Sequence, residues 1–278
     1  MFSIYLFHLK EILFLVFVFQ LSACTGNTNS GKYLPVEENE SYEITQPDSL
    51  NAKQQGRRYS VEYLLGKFNP KTDSSFAAIP VKYSNREGLY LRKETIAAFI
   101  KMYEAAKKEG VNLKIISATR NFNDQKAIWE AKWKGSRLVN GKDLSQTIKD
   151  PVERAKTILR YSSMPGTSRH HWGTDMDLNS LENKYFNSAE GKKVYEWLKM
   201  NAAEFGFCQP YSVKDESRLN GYEEEKWHWT YSPTSSVILK EYSQQIKAEN
   251  IAGFSGAETA AKLNIIEHYV KGINPECP

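Results

Sequence analysis

Histidine and cysteine are scarce in this chain, at 5 and 3 copies among 278 residues. Few metal-binding or nucleophilic side chains are available, so their positions carry information. Basic residues do not gather into a block, and Lys+Arg 37 against Asp+Glu 33 leaves a net charge of only +4. That small, dispersed excess argues against a nucleic-acid partner. No internal repeat is present. The longest unbroken apolar run, Ile12 to Phe19, is well short of the roughly 20 residues that a membrane-spanning helix needs. What remains is ordinary for a globular chain: 41% hydrophobic and 25% charged residues, enough to build a core. Aromatic residues are plentiful at 13%.

The short apolar run has the proportions of a signal-peptide core. Lys10 precedes it and Leu21-Ser22-Ala23-Cys24 follows it. The latter resembles a bacterial lipobox, in which the peptide is cut before a cysteine that is then acylated. Residues 1–23 are therefore expected to be a lipoprotein-type signal peptide, with Cys24 as the lipidation site. Glu11 beside Lys10 departs from the basic start of such signals. The expected location is the cell envelope, periplasmic or at the surface, with a lipid anchor joining the protein to a membrane face. Residues 24–58 are polar without an apolar period and read as a flexible tether. Residues 59–278 are expected to form one folded domain that includes the C-terminal helices. Within it only Cys208 and Cys277 remain. An oxidising compartment favours a disulfide between them; two independent thiols are the competing reading.

The apolar spacing predicts helices over 60–68, 93–109, 123–133, about 150–161, 189–205, about 235–249 and 257–270. Short strands are predicted over 113–117, 174–178, 207–211 and 227–231. Strands interspersed among helices indicate an α+β fold: a small antiparallel sheet flanked by helices.

Chemistry concentrates in two places. One is Ser168-Arg169-His170-His171-Trp172-Gly173-Thr174-Asp175-Met176-Asp177, and the other is Glu225-Lys226-Trp227-His228. Two imidazoles and a carboxylate, from His170, Asp177 and His228, suit a single zinc ion and leave one tetrahedral position for water. That is the layout of a catalytic site. Glu225 is then the natural proton acceptor. Gly173 permits a tight turn that aims His170 and Asp177 at one point. In a strand, Asp175 and Asp177 share a face while Met176 and Leu178 point away. Trp172, Trp227 and Trp229 lie beside these residues and suit either a core or a groove that stacks peptide or sugar. His171 is expected to line the groove and His268 to sit at the surface.

The two segments resemble the VanY-type zinc D-alanyl-D-alanine carboxypeptidases, relatives of the VanX dipeptidases. The family pattern Ser-x-His-x-x-Gly-x-x-x-Asp is met by Ser168, His170, Gly173 and Asp177. Its Glu-x-Trp-His is met by Glu225, Trp227 and His228. An upstream Ser-x-x-Arg and Gln appears as Ser117, Arg120 and Gln125, and Pro165-Gly166-Thr167 also agrees. Three motifs in order, over roughly Leu91 to Tyr231, make the likeness specific. The resemblance implies His170, Asp177 and His228 as ligands of one Zn2+, Glu225 as general base and Arg120 as an active-site cation. It implies substrate contacts from Ser117, Gln125, Ser168 and Trp227, without saying which group takes the substrate's terminal carboxylate. Asp175 stands where the family often has Ala. It either orients a metal ligand or is merely hydrogen-bonded nearby. The expected substrate is a peptidoglycan stem peptide losing a terminal D-Ala, from a D-Ala-D-Ala or an L,D bond, with endopeptidase action a further option. The rival expectation is a non-catalytic peptidoglycan-binding lipoprotein on the same fold.

Overall fold

A computed structural model describes residues 58–277. The expected signal peptide, Cys24 and all of the tether but Arg58 lie outside the described residues. Four short strands form the central antiparallel sheet: β3 (Ile115–Ser117), β4 (Asp175–Leu178), β5 (Phe207–Cys208) and β6 (His228–Tyr231), in the order β3-β4-β6-β5. An antiparallel hairpin, β1 (Phe76–Ala78) with β2 (Tyr90–Arg92), stands beside it.

Alternation along β4 and β6 decides what each face of the sheet does. Met176 pairs with Trp229, and both enter an apolar cluster with Leu178 and Phe207. The helices α2 (Lys93–Lys108) and α6 (Ala189–Asn201) cover that face through Phe99, Met102, Val194, Trp197 and Leu198. The opposite face carries Asp175, Asp177, His228 and Thr230. A second cluster, built from α1 (Val61–Leu64), α3 (Phe122–Trp133), α4 (Leu144–Thr147), α5 (Pro151–Ile158) and α7 (Ser232–Gln245), includes Leu64, Trp129, Trp133, Leu144, Ile158, Ile238 and Tyr242. Trp172, Tyr211 and Tyr222 belong to the same cluster.

Helix starts follow local chemistry. Asn121 and Asp124 cap α3 reciprocally: the Asn121 side chain accepts from the Asp124 N–H at 2.9 Å, and Asp124 accepts from the Asn121 N–H at 3.0 Å. Asp150 accepts from the Glu153 N–H at 2.8 Å with Pro151 in the first turn of α5. Several expectations change. The helix expected over 60–68 ends at Leu64, and Gly66 follows with φ 76°. The strand expected to reach Tyr211 stops at Cys208, because Pro210 has no N–H to pair and the Gln209 side chain turns inward to the carbonyls of Tyr211 and Glu225. The helix expected over 257–270 is broken into Thr259–Lys262 and a π turn, Ile266–Val270, where Asn264 takes φ 46°. The β1–β2 hairpin was not anticipated. Val237 of α7 stays at the surface, while Ile238 and Ile246 are buried. Among the described residues no helix is long and apolar enough to cross a membrane.

Cys208 and Cys277 form a disulfide with Cα atoms 5.6 Å apart, closing a separation of 69 residues. Of the two readings open to these cysteines, the structure takes the paired one. The bond fastens the C-terminal tail to the sheet edge at β5.

Candidate active site

The site forms where β4 and β6 run side by side. Asp177 is the direct cross-strand partner of His228. A 3-10 turn, Arg169–Trp172, delivers His170 and ends at Gly173 with φ 72°. A side chain at Gly173 would overlap the Phe76 ring, so the left-handed turn and the hairpin packing both require glycine. His170 Nε2 lies 3.4 Å from Asp177 Oδ1, and His228 Nδ1 lies 3.1 Å from the same oxygen. One donor atom from each of the three residues falls within 4.8 Å of the others, and all three residues are buried. Tetrahedral zinc with bonds near 2.0–2.1 Å separates its ligands by roughly 3.3 Å, so both measured contacts fit.

Hydrogen bonds fix which nitrogens face the centre. His170 donates Nδ1–H to the Ala118 carbonyl at 2.8 Å, leaving Nε2 free. His228 Nε2 is 2.8 Å from Asp175 Oδ2, which turns Nδ1 to Asp177 Oδ1 at 3.1 Å. Asp175 also accepts from Arg169 Nε at 3.0 Å and from the Thr174 and Thr230 hydroxyls at 2.7 Å. Asp175 is thus hydrogen-bonded to His228, the candidate ligand whose orientation it would set. Burial disfavours charge on Asp175, but the Arg169 guanidinium and the His228 bond outweigh it and hold its carboxyl well below the usual range. Burial likewise opposes a charged His228, yet the two aspartates prevail and raise it to about 9. Desolvation lowers His170.

Glu225 sits at the lip of the same centre, with Oε2 3.6 Å from His228 Nδ1. Its backbone N–H donates to the Tyr211 carbonyl at 3.0 Å, and its own carbonyl accepts from Gln209 at 3.2 Å. Burial, helped by the negative charge of Asp177, pushes its carboxyl up to about 8. Arg120 lines the same cavity. Its Nε donates to Gln125 Oε1 at 3.0 Å, and its Nη1 donates to Ser117 Oγ at 2.6 Å and stands 3.6 Å from Asp177 Oδ2. These groups open into one cavity of about 620 Å³, whose walls include Lys132, Tyr161, Asn183 and Trp227.

Most of the expected residues therefore converge. Arg120, Gln125, His170, Asp177, Glu225, Trp227 and His228 all line the cavity. Ser117 holds Arg120 from below. Ser168 is corrected: its hydroxyl is buried without a partner and does not line the cavity. His171 is corrected too. It is fully buried rather than groove-lining, with Nδ1 2.6 Å from the Arg120 carbonyl and Nε2 accepting from the Gly166 N–H at 3.0 Å. Burial lowers its pKa to about 3. Trp172 and Trp229 belong to the two apolar clusters, and His268 is exposed as expected. Arg169, Lys132, Tyr211 and Tyr222 were not singled out from the sequence.

The sequence profile described as VanY, D-alanyl-D-alanine carboxypeptidase, matches residues 88–234. The chain belongs to the VanY family. Among relatives of this VanY chain is YodJ of Bacillus subtilis, a carboxypeptidase by name, 32% identical over 199 residues that cover 66% of this chain and 64% of YodJ. A D-alanyl-D-alanine carboxypeptidase of Enterococcus faecalis is 26% identical over 181 residues, covering 65% of this chain and 62% of that protein. The chain thus spans less than two thirds of either relative. Among solved structures, the LdcB LD-carboxypeptidase is similar at 25% identity and a TM-score of 0.45, over 66% of this chain and 81% of that one.

Proposed function

We propose that this VanY-family chain is a zinc-dependent carboxypeptidase that removes a terminal D-Ala from peptidoglycan stem peptides, at a D-Ala-D-Ala or an L,D bond. The observation that carries this reading is the convergence of His170, Asp177 and His228 on one point, with Glu225 beside it in an open cavity. His170 Nε2, Asp177 Oδ1 and His228 Nδ1 would hold one zinc ion. Zinc, when bound, brings the pKa of a coordinated water to about 7.

Glu225 Oε2 is placed to take a proton from the attacking water and return it to the leaving amine, a role worth about 10²–10⁴-fold. Its raised pKa favours holding that proton, and a divalent cation alongside would bring the value down. Arg120 supplies positive charge facing the cavity as the scissile carbonyl oxygen becomes negative. Gln125 and Ser117 fix its direction. Trp227 and Tyr161, with ring centroids 6.4 Å apart, offer apolar wall to the peptide.

Export, acylation at Cys24 and attachment to a membrane face are part of the proposal, and the Cys208–Cys277 disulfide supports an oxidising location. Glu225 facing the cavity favours an enzyme over a binding lipoprotein on the same fold. The test is incubation of the purified protein with muropeptides, with and without a chelator, followed by mass spectrometry. Chelator-sensitive loss of one alanine is expected. Intact peptide retained by the protein would establish the binding module instead.

A further inference from the structure

The helix α3 turns one face into the cavity and the other into the core. Trp129 and Trp133 are buried. Gln125, Ile128 and Lys132, spaced by three and four residues, line the cavity. Lys132 is only partly exposed, and its ammonium donates to the Ser162 hydroxyl. Among the described residues no carboxylate lies within ion-pair distance of it. Its charged neighbours include Arg137 and Arg120, both on the same cavity wall. Burial, with those cations, lowers its pKa to about 8, while the negative charge of Glu225 opposes the shift. A desolvated ammonium among like charges is costly unless an anion joins it. Of the other cations on the cavity, Arg160 pairs with Glu223 at 3.8 Å, Arg120 is turned toward Asp177 by Ser117 and Gln125, and Arg137 stands exposed at the rim.

We propose that Lys132 binds the C-terminal carboxylate of the substrate, leaving Arg120 to the carbonyl that is cut. This rests on the carboxypeptidase reading and deepens it by naming a specificity-determining residue. Its place in the cavity permits it. In a C-terminal residue the carboxylate follows the scissile carbonyl by one residue, about 3.8 Å of chain, so its anchor must share a cavity with Glu225. Lys132 does. Arg137, exposed at the rim of the same cavity, adds positive potential along the approach. The consequence is exo-specific action: a peptide whose C-terminus is blocked loses its anchor.

The test uses the full zinc-loaded protein carrying Glu225→Gln, so that binding is read without turnover. A stem pentapeptide and a stem tetrapeptide are each titrated by calorimetry as free acid and as C-terminal carboxamide. With Lys132 present, the free acid of the peptide that is the substrate binds at least about tenfold tighter than its amide. Adding Lys132→Met abolishes that preference by weakening the acid and sparing the amide, and Lys132→Arg restores part of it. In the catalytically intact protein the same substitution raises KM more than it lowers kcat. A preference that survives Lys132→Met overturns the assignment. So does a Lys132 dependence that follows amidation of an internal carboxylate rather than the terminal one. If the unaltered protein neither binds nor cuts any of these peptides, the carboxypeptidase reading itself falls.

Discussion

His228 has two ring nitrogens with different partners, and the site depends on that division. Nε2 meets Asp175 Oδ2 at 2.8 Å, which turns Nδ1 toward Asp177 and His170. Asp175 holds its own place through Arg169 and two threonine hydroxyls. An amide in its place has one acceptor oxygen for donors that now share two. Asp175→Asn is therefore expected to weaken zinc binding by about 10–100-fold, read by competition with a chromophoric chelator; unchanged affinity would reduce Asp175 to a structural role. Glu225 permits a second prediction. Its folded-state pKa of about 8 lies above the ordinary 4.5, so the folded chain holds the proton more tightly than the unfolded one. The resulting stability is present below pH 4.5 and is lost as pH rises through about 8. Glu225→Gln, which mimics the protonated form, should raise the Tm of the metal-free protein relative to the unsubstituted one by an amount that grows across that window. A difference that is flat or reversed with pH would contradict the burial assigned to Glu225.

At the scale of elements, Gly173 joins motif to fold. Its φ of 72° and the Phe76 ring against it leave no room for a side chain. Gly173→Ala is expected to cost at least about 1–2 kcal/mol of stability in denaturant unfolding; a neutral change would mean that the turn relaxes freely. The candidate metal site was legible in the sequence because strand alternation puts Asp177 on the face opposite Met176 and Leu178, and the Glu-x-Trp-His segment leads into β6. The α3 and α5 starts were legible from Asn121, Asp124, Asp150 and Pro151. The β1–β2 hairpin was not, since its three-residue strands are too short to show alternation. Nor was the fate of His171. Its burial depends on packing beneath Gly66, 105 positions upstream in the chain, and no local pattern reports that. Lys132 was missed for the same reason: on a helix that also carries Lys126, only the tertiary setting shows which one faces the cavity.

For the whole molecule, the sheet divides labour between its faces, one buried under α2 and α6 and the other carrying the site. The tail is tied across this arrangement by Cys208–Cys277. Closing a loop of 69 residues is worth about 4 kcal/mol in the chain-entropy account. Cys277→Ser should remove much of that in an unfolding titration while leaving metal affinity nearly unchanged, because the bond lies on the edge strand β5, outside the β4–β6 pair and the Arg169–Trp172 turn that carry the three candidate ligands. A large fall in metal affinity would instead couple the tail to the site. The central claim is that His170, Asp177 and His228 share one ion. Elemental analysis of zinc per chain after dialysis, for the unsubstituted protein and for His228→Ala, tests it most directly. The account predicts one zinc in the first and none in the second; equal zinc in both, or none in either, would contradict it.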